Sequence, residues 1–341
     1  MHLHIVTRLD DGSLEADAWN RLLGRSATPV PFLRYEYLRL WWHQWARHEW
    51  GDDISLFVVV ARDARGTLLA AAPWFLAADA RGRRVLRFIG GDALTDYSDV
   101  LVPPALAGAF WQAVAERLLV QPAFDALDLT HIPQTSPTLT AAPAALTAAG
   151  WTARVAAMET APQIDLPATW DAYLQALPKK QRHELRRKMR RAEAHQPRVR
   201  MRTVHTPAEV ARQADAFLRL MAYNPRKAAF LTPPVRAFFR ALMDTAARHG
   251  WLHLAFLDVG ERPAAAYLAF DFAQRLWMYN SGLDPAFAAL SPGWVLAGHL
   301  IRRAIAHGYR VLDWMRGDEA YKYRLGARDF HLYRLTAQPA V

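Results

Sequence analysis

The stretch from Ala273 to Lys322 restricts the fold more than any other part of the chain. Gln274 to Gly282 (QRLWMYNSG), with Trp277 and Tyr279 at alternate positions, predicts a strand. Leu290 to Gly293 (LSPG) predicts a turn, and Trp294 to His307 a helix that Gly308 stops. Tyr309 to Met315 (YRVLDWM) is a short apolar strand, and Arg316 to Lys322 (RGDEAYK) is a polar corner at its end. Strand, turn, helix, strand and polar loop follow with no spare residues, so the polar groups gather where the second strand ends.

The rest of the chain repeats one order of elements twice. In the first half, His2 to Thr7 is a strand, and Leu14 to Leu23 and Tyr35 to Trp45 are helices. The stripe Tyr37, Leu38, Trp41, Trp42 and Trp45 on the second helix is read as core. Ile54 to Ala61 and Thr67 to Phe75 form a hairpin through Gly66, and Arg83 to Ile89 and Tyr97 to Val102 extend it into a meander. Pro103 and Pro104 open a helix through Val120, followed by strand Phe124 to Thr130, helix Pro137 to Ala149 and strand Trp151 to Met158. From Pro162 the order restarts: helices Trp170 to Leu177 and Lys179 to His195, strand Arg198 to Val204, and helices Ala208 to Met221 and Pro233 to His249. Strands Leu252 to Val259, Pro263 to Phe272 and Gln274 to Ser281 lead into the opening stretch, and Asp329 to Thr336 is a last strand. The expectation is an α/β (α+β) protein of two tandem domains, 1–160 and 161–341, each a mixed, mainly antiparallel twisted sheet flanked by helices. Two prolines between Glu159 and Pro167 mark the boundary. One elongated domain is the alternative.

Charge and composition narrow the chemistry. A net charge of +10 implies attraction to anions, whether nucleotide cofactor, nucleic acid, acidic polymer or membrane surface. The absence of Cys excludes disulfides, thiolate metal ligands and cysteine nucleophiles. No signal peptide is visible, and the longest apolar run, Leu68 to Ala78, is shorter than the ~20 residues of a spanning helix. A soluble, cytoplasmic protein with no integral membrane segment is expected. The His residues form no convincing metal site, and no metal is expected; phosphate-binding Gly-rich motifs and the Gly-x-Ser-x-Gly setting of serine hydrolases are missing as well.

Three stretches could carry chemistry. Ser291, Gly293 and Trp294 stand where the chain enters a helix, whose first N–H groups and dipole suit a phosphate; the same residues also make an ordinary helix start. Asp313, Arg316, Asp318, Tyr321 and Lys322 put an acid, a base and a phenol within ten residues. They could manage proton traffic or simply form a salt-bridged loop. The helix from Lys179 to Arg191 carries eight Lys or Arg against Glu184 alone, so something anionic should lie beside it. Acidic side chains of the other domain, the phosphates of a cofactor or substrate, and an RNA stem all qualify. Without aromatic residues to stack on bases, nucleic acid is not expected; a peripheral contact with an anionic membrane is kept open.

Lys180, Arg182, Glu184, Arg187 and Arg190, a later Ser-Pro-Gly before a helix, then Asp313 and Gly317-Asp318-x-x-Tyr321-Lys322 together resemble the cellulose-biosynthesis-type branch of the GNAT acyltransferase superfamily. That branch is similar to the Fem-type peptidoglycan peptidyltransferases, which carry two tandem GNAT-like domains. The resemblance covers roughly 160–330, and in the first half it rests on the meander and on Asp96-Tyr97-Ser98-Asp99. It implies an acetyl-coenzyme A or other acyl-coenzyme A donor, with the backbone around Tyr279 and Ser281 pairing with pantetheine amides and Ser291, Gly293 and Trp294 receiving the pyrophosphate. The usual Gly-rich loop of such enzymes is reduced here to Gly293 and Gly298. The resemblance further implies transfer to an amine or hydroxyl of a small-molecule or saccharide acceptor, plausibly a sugar or cell-envelope precursor, with Asp96, Tyr97, Arg182, Arg316 and Asp318 as substrate contacts. Tyr321 would be the acid for the departing thiolate, Asp313 the base or its orienter, Lys322 and Arg316 holders of anionic groups, and Asp318 the turn's backbone acceptor. A Fem-like enzyme using aminoacyl-tRNA and a non-catalytic binder of anionic polymers are the alternatives.

Overall fold

The structure is a computed structural model that describes residues 1–340 apart from 11, 13 and 119–122. It divides into two compact units, Met1–Thr160 with Phe330–Val341, and Ala161–Asp329.

The first unit runs β1 (His2–Val6), α1 (Ala16–Leu23), α2 (Tyr35–Gln44), α3 (Ala46–Trp50), β2 (Ile54–Leu56), β3 (Val58–Arg62), β4 (Leu68–Ala72), β5 (Trp74–Ala78), β6 (Arg84–Phe88), α4 (Ala107–Leu118), β7 (Ala126–Pro133), α5 (Thr138–Ala148) and β8 (Trp151–Thr160). The end of the expected helix at Val120 lies outside the described residues. The expected hairpin is two pairs. β3 and β4 join β1 in a three-stranded sheet, while β2 and β5 belong to a six-stranded sheet ordered β2-β5-β6-β7-β15-β8, in which β15 is His331–Pro339. The break falls at Phe57 and Pro73, and Pro73 has no N–H to continue a ladder. The expected strand Tyr97 to Val102 makes only a single bridge, Ala71 to Leu101.

β15 corrects the domain assignment. It inserts between β7 and β8, pairing antiparallel with both, so residues 330–341 complete the first sheet and not the second. Its apolar alternation suits either sheet; Leu335 and Ala337 settle in the first core beside Leu129, Ile132 and Trp151.

The second unit runs β9 (Gln163–Asp165), α6 (Trp170–Ala176), α7 (Lys179–Glu193), β10 (Val199–Val204), α8 (Pro207–Ala222), α9 (Pro225–Phe230), α10 (Pro233–Arg248), β11 (Leu252–Val259), β12 (Arg262–Phe272), β13 (Arg275–Leu283), α11 (Pro292–Ala306), β14 (Val311–Asp313) and α12 (Ala320–Arg324). Its sheet is ordered β10-β11-β12-β13-β14-β9, and all its pairs are antiparallel except β13 with β14. One face packs against α7 and α11 through Ala255, Ala265, Ala269, Leu296 and Leu300. On the other face lie Phe239 of α10, Phe270 and Tyr279, with ring centroids 5.2–5.8 Å apart. α8 starts with Thr206 and Glu209 in a reciprocal capping box, as the sequence Thr-Pro-Ala-Glu allows. Among the described residues, no helix is long and apolar enough to cross a membrane.

α8 lies so close to β13 that a Cβ on Gly282 would stand 2.3 Å from the Met221 backbone nitrogen and 2.4 Å from the Leu220 carbonyl carbon. Backbone cannot swing aside as a side chain can. Gly282→Ala is therefore expected to cost about 1–3 kcal/mol, read as a lower denaturation midpoint; an unchanged midpoint would mean that α8 shifts freely.

Candidate active site

Parallel pairing between β13 and β14 lasts three residues, Arg275 with Val311, Leu276 with Leu312 and Trp277 with Asp313. β14 then ends, while β13 runs on to Leu283. From Met278 onward β13 has β12 on one side and, among the described residues, no strand on the other, which opens a gap in the sheet.

Asp313 closes β14. It is fully buried, accepting a hydrogen bond from Gln163 Nε2 (2.7 Å) on Oδ2 and one from the Met315 N–H (2.8 Å) on Oδ1. Met315 has φ 58°, an uncommon conformation for a side chain of its size, and the bond to Asp313 helps hold it there. These partners make Asp313 the buried anchor of the turn; from sequence it was expected as the base or its orienter.

Lys322 departs from expectation in the same way. Its Nζ is buried and donates to the carbonyls of Met315 (3.2 Å), Arg316 (2.8 Å) and Gly317 (2.9 Å), with Glu319 Oε2 at 2.8 Å. An ammonium with three carbonyls and a carboxylate around it has no donor left for a substrate. It ties the corner together, the task expected of Asp318, which is exposed. Gly317 is required here: its φ is 104°, and a Cβ would stand 2.7 Å from Glu319 Oε2. Burial pushes Glu319 up, but its bond to Lys322 together with the charges of Lys322 and Lys227 holds the carboxyl below its ordinary value.

Tyr321, expected from sequence to be the acid, stands in α12. Its ring packs edge-on against Trp314 at 5.6 Å, and Trp314 meets Tyr267 at 6.1 Å. The Tyr321 and Tyr267 hydroxyls are hydrogen-bonded, and Tyr267 is bonded in turn to the Ser281 hydroxyl, its cross-strand neighbour on β13. Burial, then Tyr267 and Glu319, push the Tyr321 phenol far up, and burial pushes Tyr267 up to about 12. Both phenols keep their protons at any physiological pH.

The line of hydroxyls ends on a residue that sequence reasoning missed. Lys227 Nζ on α9 donates to the Ser281 carbonyl (2.6 Å) and lies 3.4 Å from its Oγ. Burial lowers its pKa to about 8, with Glu319 opposing the shift and Lys322 adding to it. Asn224 caps α9 by accepting from the Arg226 and Lys227 N–H groups, and Pro225 fills the first turn. Asn-Pro was a readable start signal. Lys227 is also one of only five Lys in an Arg-rich chain, and Tyr267 a lone phenol in a run of small apolar residues.

The cofactor residues expected from sequence divide. Ser281 belongs to the hydroxyl line, whereas the Tyr279 ring is held between Phe239 and Phe270, leaving only its backbone for a ligand. Ser291 has φ 53° and ends the turn before α11; its carbonyl accepts from the Trp294 and Val295 N–H groups. α7 runs antiparallel to α11 across this turn. Arg191 lies 3.5 Å from Ser291 Oγ, Lys188 covers the Trp294 ring at 4.1 Å, and a Cβ on Gly298 would meet Met189 at 3.0 Å. Gly298 is thus a packing glycine, and Gly293, against Leu283, is another. α7 buries Leu185, Lys188, Met189 and Ala192, and pairs Lys188 with Glu184 at 3.0 Å. Its exposed Lys179, Lys180, Arg186, Arg187, Arg190 and Arg191 meet no carboxylate within 4.0 Å among the described residues, and neither does half-buried Arg182. Arg316 is half-buried at the corner.

Asp96 and Tyr97 lie in the first unit, 8% and 1% exposed, with Tyr97 packed on Phe330 at 6.3 Å. Both had been expected to contact the acceptor. Nearby, Asp99 is fully buried and accepts from the Thr28 and Thr138 hydroxyls (2.6 and 2.7 Å).

Residues 179–323 match the family model of the acetyltransferase (GNAT) domain. Three solved structures resemble the chain along its length. FemX has a TM-score of 0.66 at 9% identity, with 98% of this chain and 97% of that one covered. A conserved protein of unknown function from Bacteroides thetaiotaomicron VPI-5482 has a TM-score of 0.59 at 11% identity, covering 98% and 100%. L-PGS from Bacillus licheniformis has a TM-score of 0.51 at 12% identity, covering 92% of each chain. No curated protein matches the chain. The fold is GNAT-like, with two six-stranded, mainly antiparallel sheets flanked by helices, and the residues that match the GNAT model lie within the second unit.

Proposed function

We propose that the second unit transfers an acyl group from a coenzyme A thioester to an amine or hydroxyl of a small-molecule or saccharide acceptor. The observation that carries this reading is the open edge of β13 next to a continuous line of Tyr321, Tyr267, Ser281 and Lys227. Past Trp277 the unpaired side of β13 offers backbone groups to the pantetheine amides, and the Ser291 turn offers the positive end of the α11 dipole to the pyrophosphate. The unpaired cations of α7 supply the field that attracts the phosphates.

In the transfer, the acceptor nitrogen or oxygen attacks the thioester carbonyl, its bond to carbon forms, and the carbon–sulfur bond breaks. Neutral Lys227 takes the acceptor's proton, and the Tyr321 phenol protonates the departing thiolate. The proton on Lys227 then returns through Ser281 and Tyr267 to Tyr321, so base and acid are restored together. Asp313 and Lys322 hold the corner on which Tyr321 stands.

Calorimetric titration with acetyl-coenzyme A tests the reading. Binding is expected, and Arg187→Glu with Arg191→Glu should weaken it about tenfold at low salt and less at high salt. Likeness to FemX over both units favours one further reading, a Fem-like enzyme that draws its acyl group from aminoacyl-tRNA. Tight RNA binding without coenzyme A binding would select that reading and reject ours.

A further inference from the structure

At the far end of α11 from the Ser291 turn, about 20 Å away along a 15-residue helix, a cavity of about 160 Å³ opens beside the sheet. Its polar lining is His205, His253, Arg303, His307, Asp271 and Tyr309. The carboxylate of Asp271 already accepts the Tyr309 hydroxyl. Arg303 has no carboxylate within 4.0 Å among the described residues, and His253, only 6% exposed, has a buried Nε2 with no hydrogen-bond partner. A cation at a helix carboxyl end is ordinary, and His307 Nδ1, 2.8 Å from the Arg303 carbonyl, is a simple cap. Neither fact accounts for an unpartnered imidazole buried beside a guanidinium. Burial, then Arg303, His205 and His307, lower the His253 pKa to about 4.

We propose that this cavity binds a phosphate-type oxyanion between Arg303 and the imidazoles of His205, His253 and His307. Its volume of about 160 Å³ is ample for one such ion. The site stands apart from the acyl-transfer reading and survives or fails without it. A bound anion favours imidazolium over imidazole, so the His pKa values rise on binding; affinity is then fully present at low pH and is lost as pH rises through the bound-state values. Asp271 and Tyr309 are the other titratable groups facing the cavity.

Sulfate is the clean probe, because its own charge is constant across the range. Titrated calorimetrically into the full chain, it is expected to bind several-fold more tightly at about pH 6 than at about pH 8. Arg303→Gln, at a half-buried position, should weaken it ten- to a hundredfold with an unchanged melting temperature in the absence of sulfate. Inorganic phosphate and a small phosphomonoester separate the sources: equal affinity assigns the free ion, and tighter monoester binding assigns a phosphate carried by a larger molecule. Sulfate affinity that is independent of pH, or unaffected by Arg303→Gln, would overturn the proposal.

Discussion

Tyr321→Phe is expected to lower kcat by about 10²–10⁴-fold, with acetyl-coenzyme A affinity and melting temperature close to wild type. The change deletes one oxygen and keeps the ring against Trp314, so packing at 5.6 Å is retained. What disappears is the proton held for the thiolate and the bond to Tyr267. Burial keeps that phenol protonated far above neutrality, so no pH in the working range should mimic the mutation. Tyr267 remains bonded to Ser281 and marks the difference between roles. If Tyr321 only packs, Tyr321→Phe turns over at the wild-type rate. If it is the acid, a donor with a better leaving group, such as an aryl thioester, should recover most of the loss, because an acidic thiol leaves without protonation. Loss of rate without that recovery would move the acid elsewhere.

The sequence made the second sheet and the order of elements around β13, α11 and β14 legible, because each has a local signal: β-rich runs, Ser-Pro-Gly, Gly308 and the Asp-rich corner. It did not reveal side-chain direction. Asp313, Lys322 and Tyr321 are near neighbours in the chain, and all three looked able to touch a substrate. Only the fold decides that Lys322 turns inward onto three carbonyls and that Asp313 bonds the Met315 N–H. Tyr279 was similarly undecidable, since alternation along a strand assigns a face only once the sheet's two coverings are known. Lys227 and Ser281 are 54 residues apart, and no local pattern joins them. β15 was assigned to the wrong sheet for the same reason: pairing partners are a long-range property, and its own residues fit either core.

Lys227 carries the second large effect, and it can be tested without knowing the acceptor. Its pKa, lowered from 10.5 to about 8 chiefly by burial, means that the folded chain resists the ammonium form. Between these values the unfolded chain binds more protons than the folded one, so stability contributed by this site rises with pH and is lost as pH falls toward 8. Tyr267 works in the opposite sense, but only above its ordinary value of 10.0, so the window below that belongs to Lys227. Denaturation midpoints measured from about pH 8 to 9.5 should therefore climb in wild type, with a slope below the ~1.4 kcal/mol per pH unit of one full proton, because partial exposure screens the site. Lys227→Met should flatten that climb. With an acceptor in hand, the same variant should lose about 10²–10⁴-fold in kcat and also lose the rise of kcat/KM with pH through about 8 that is expected of wild type. A low-pKa amine as acceptor keeps its own ionisation out of the profile. A Lys227→Met enzyme with wild-type turnover and a wild-type pH profile would make Lys227 a cap on Ser281 and leave the acceptor's proton to another base.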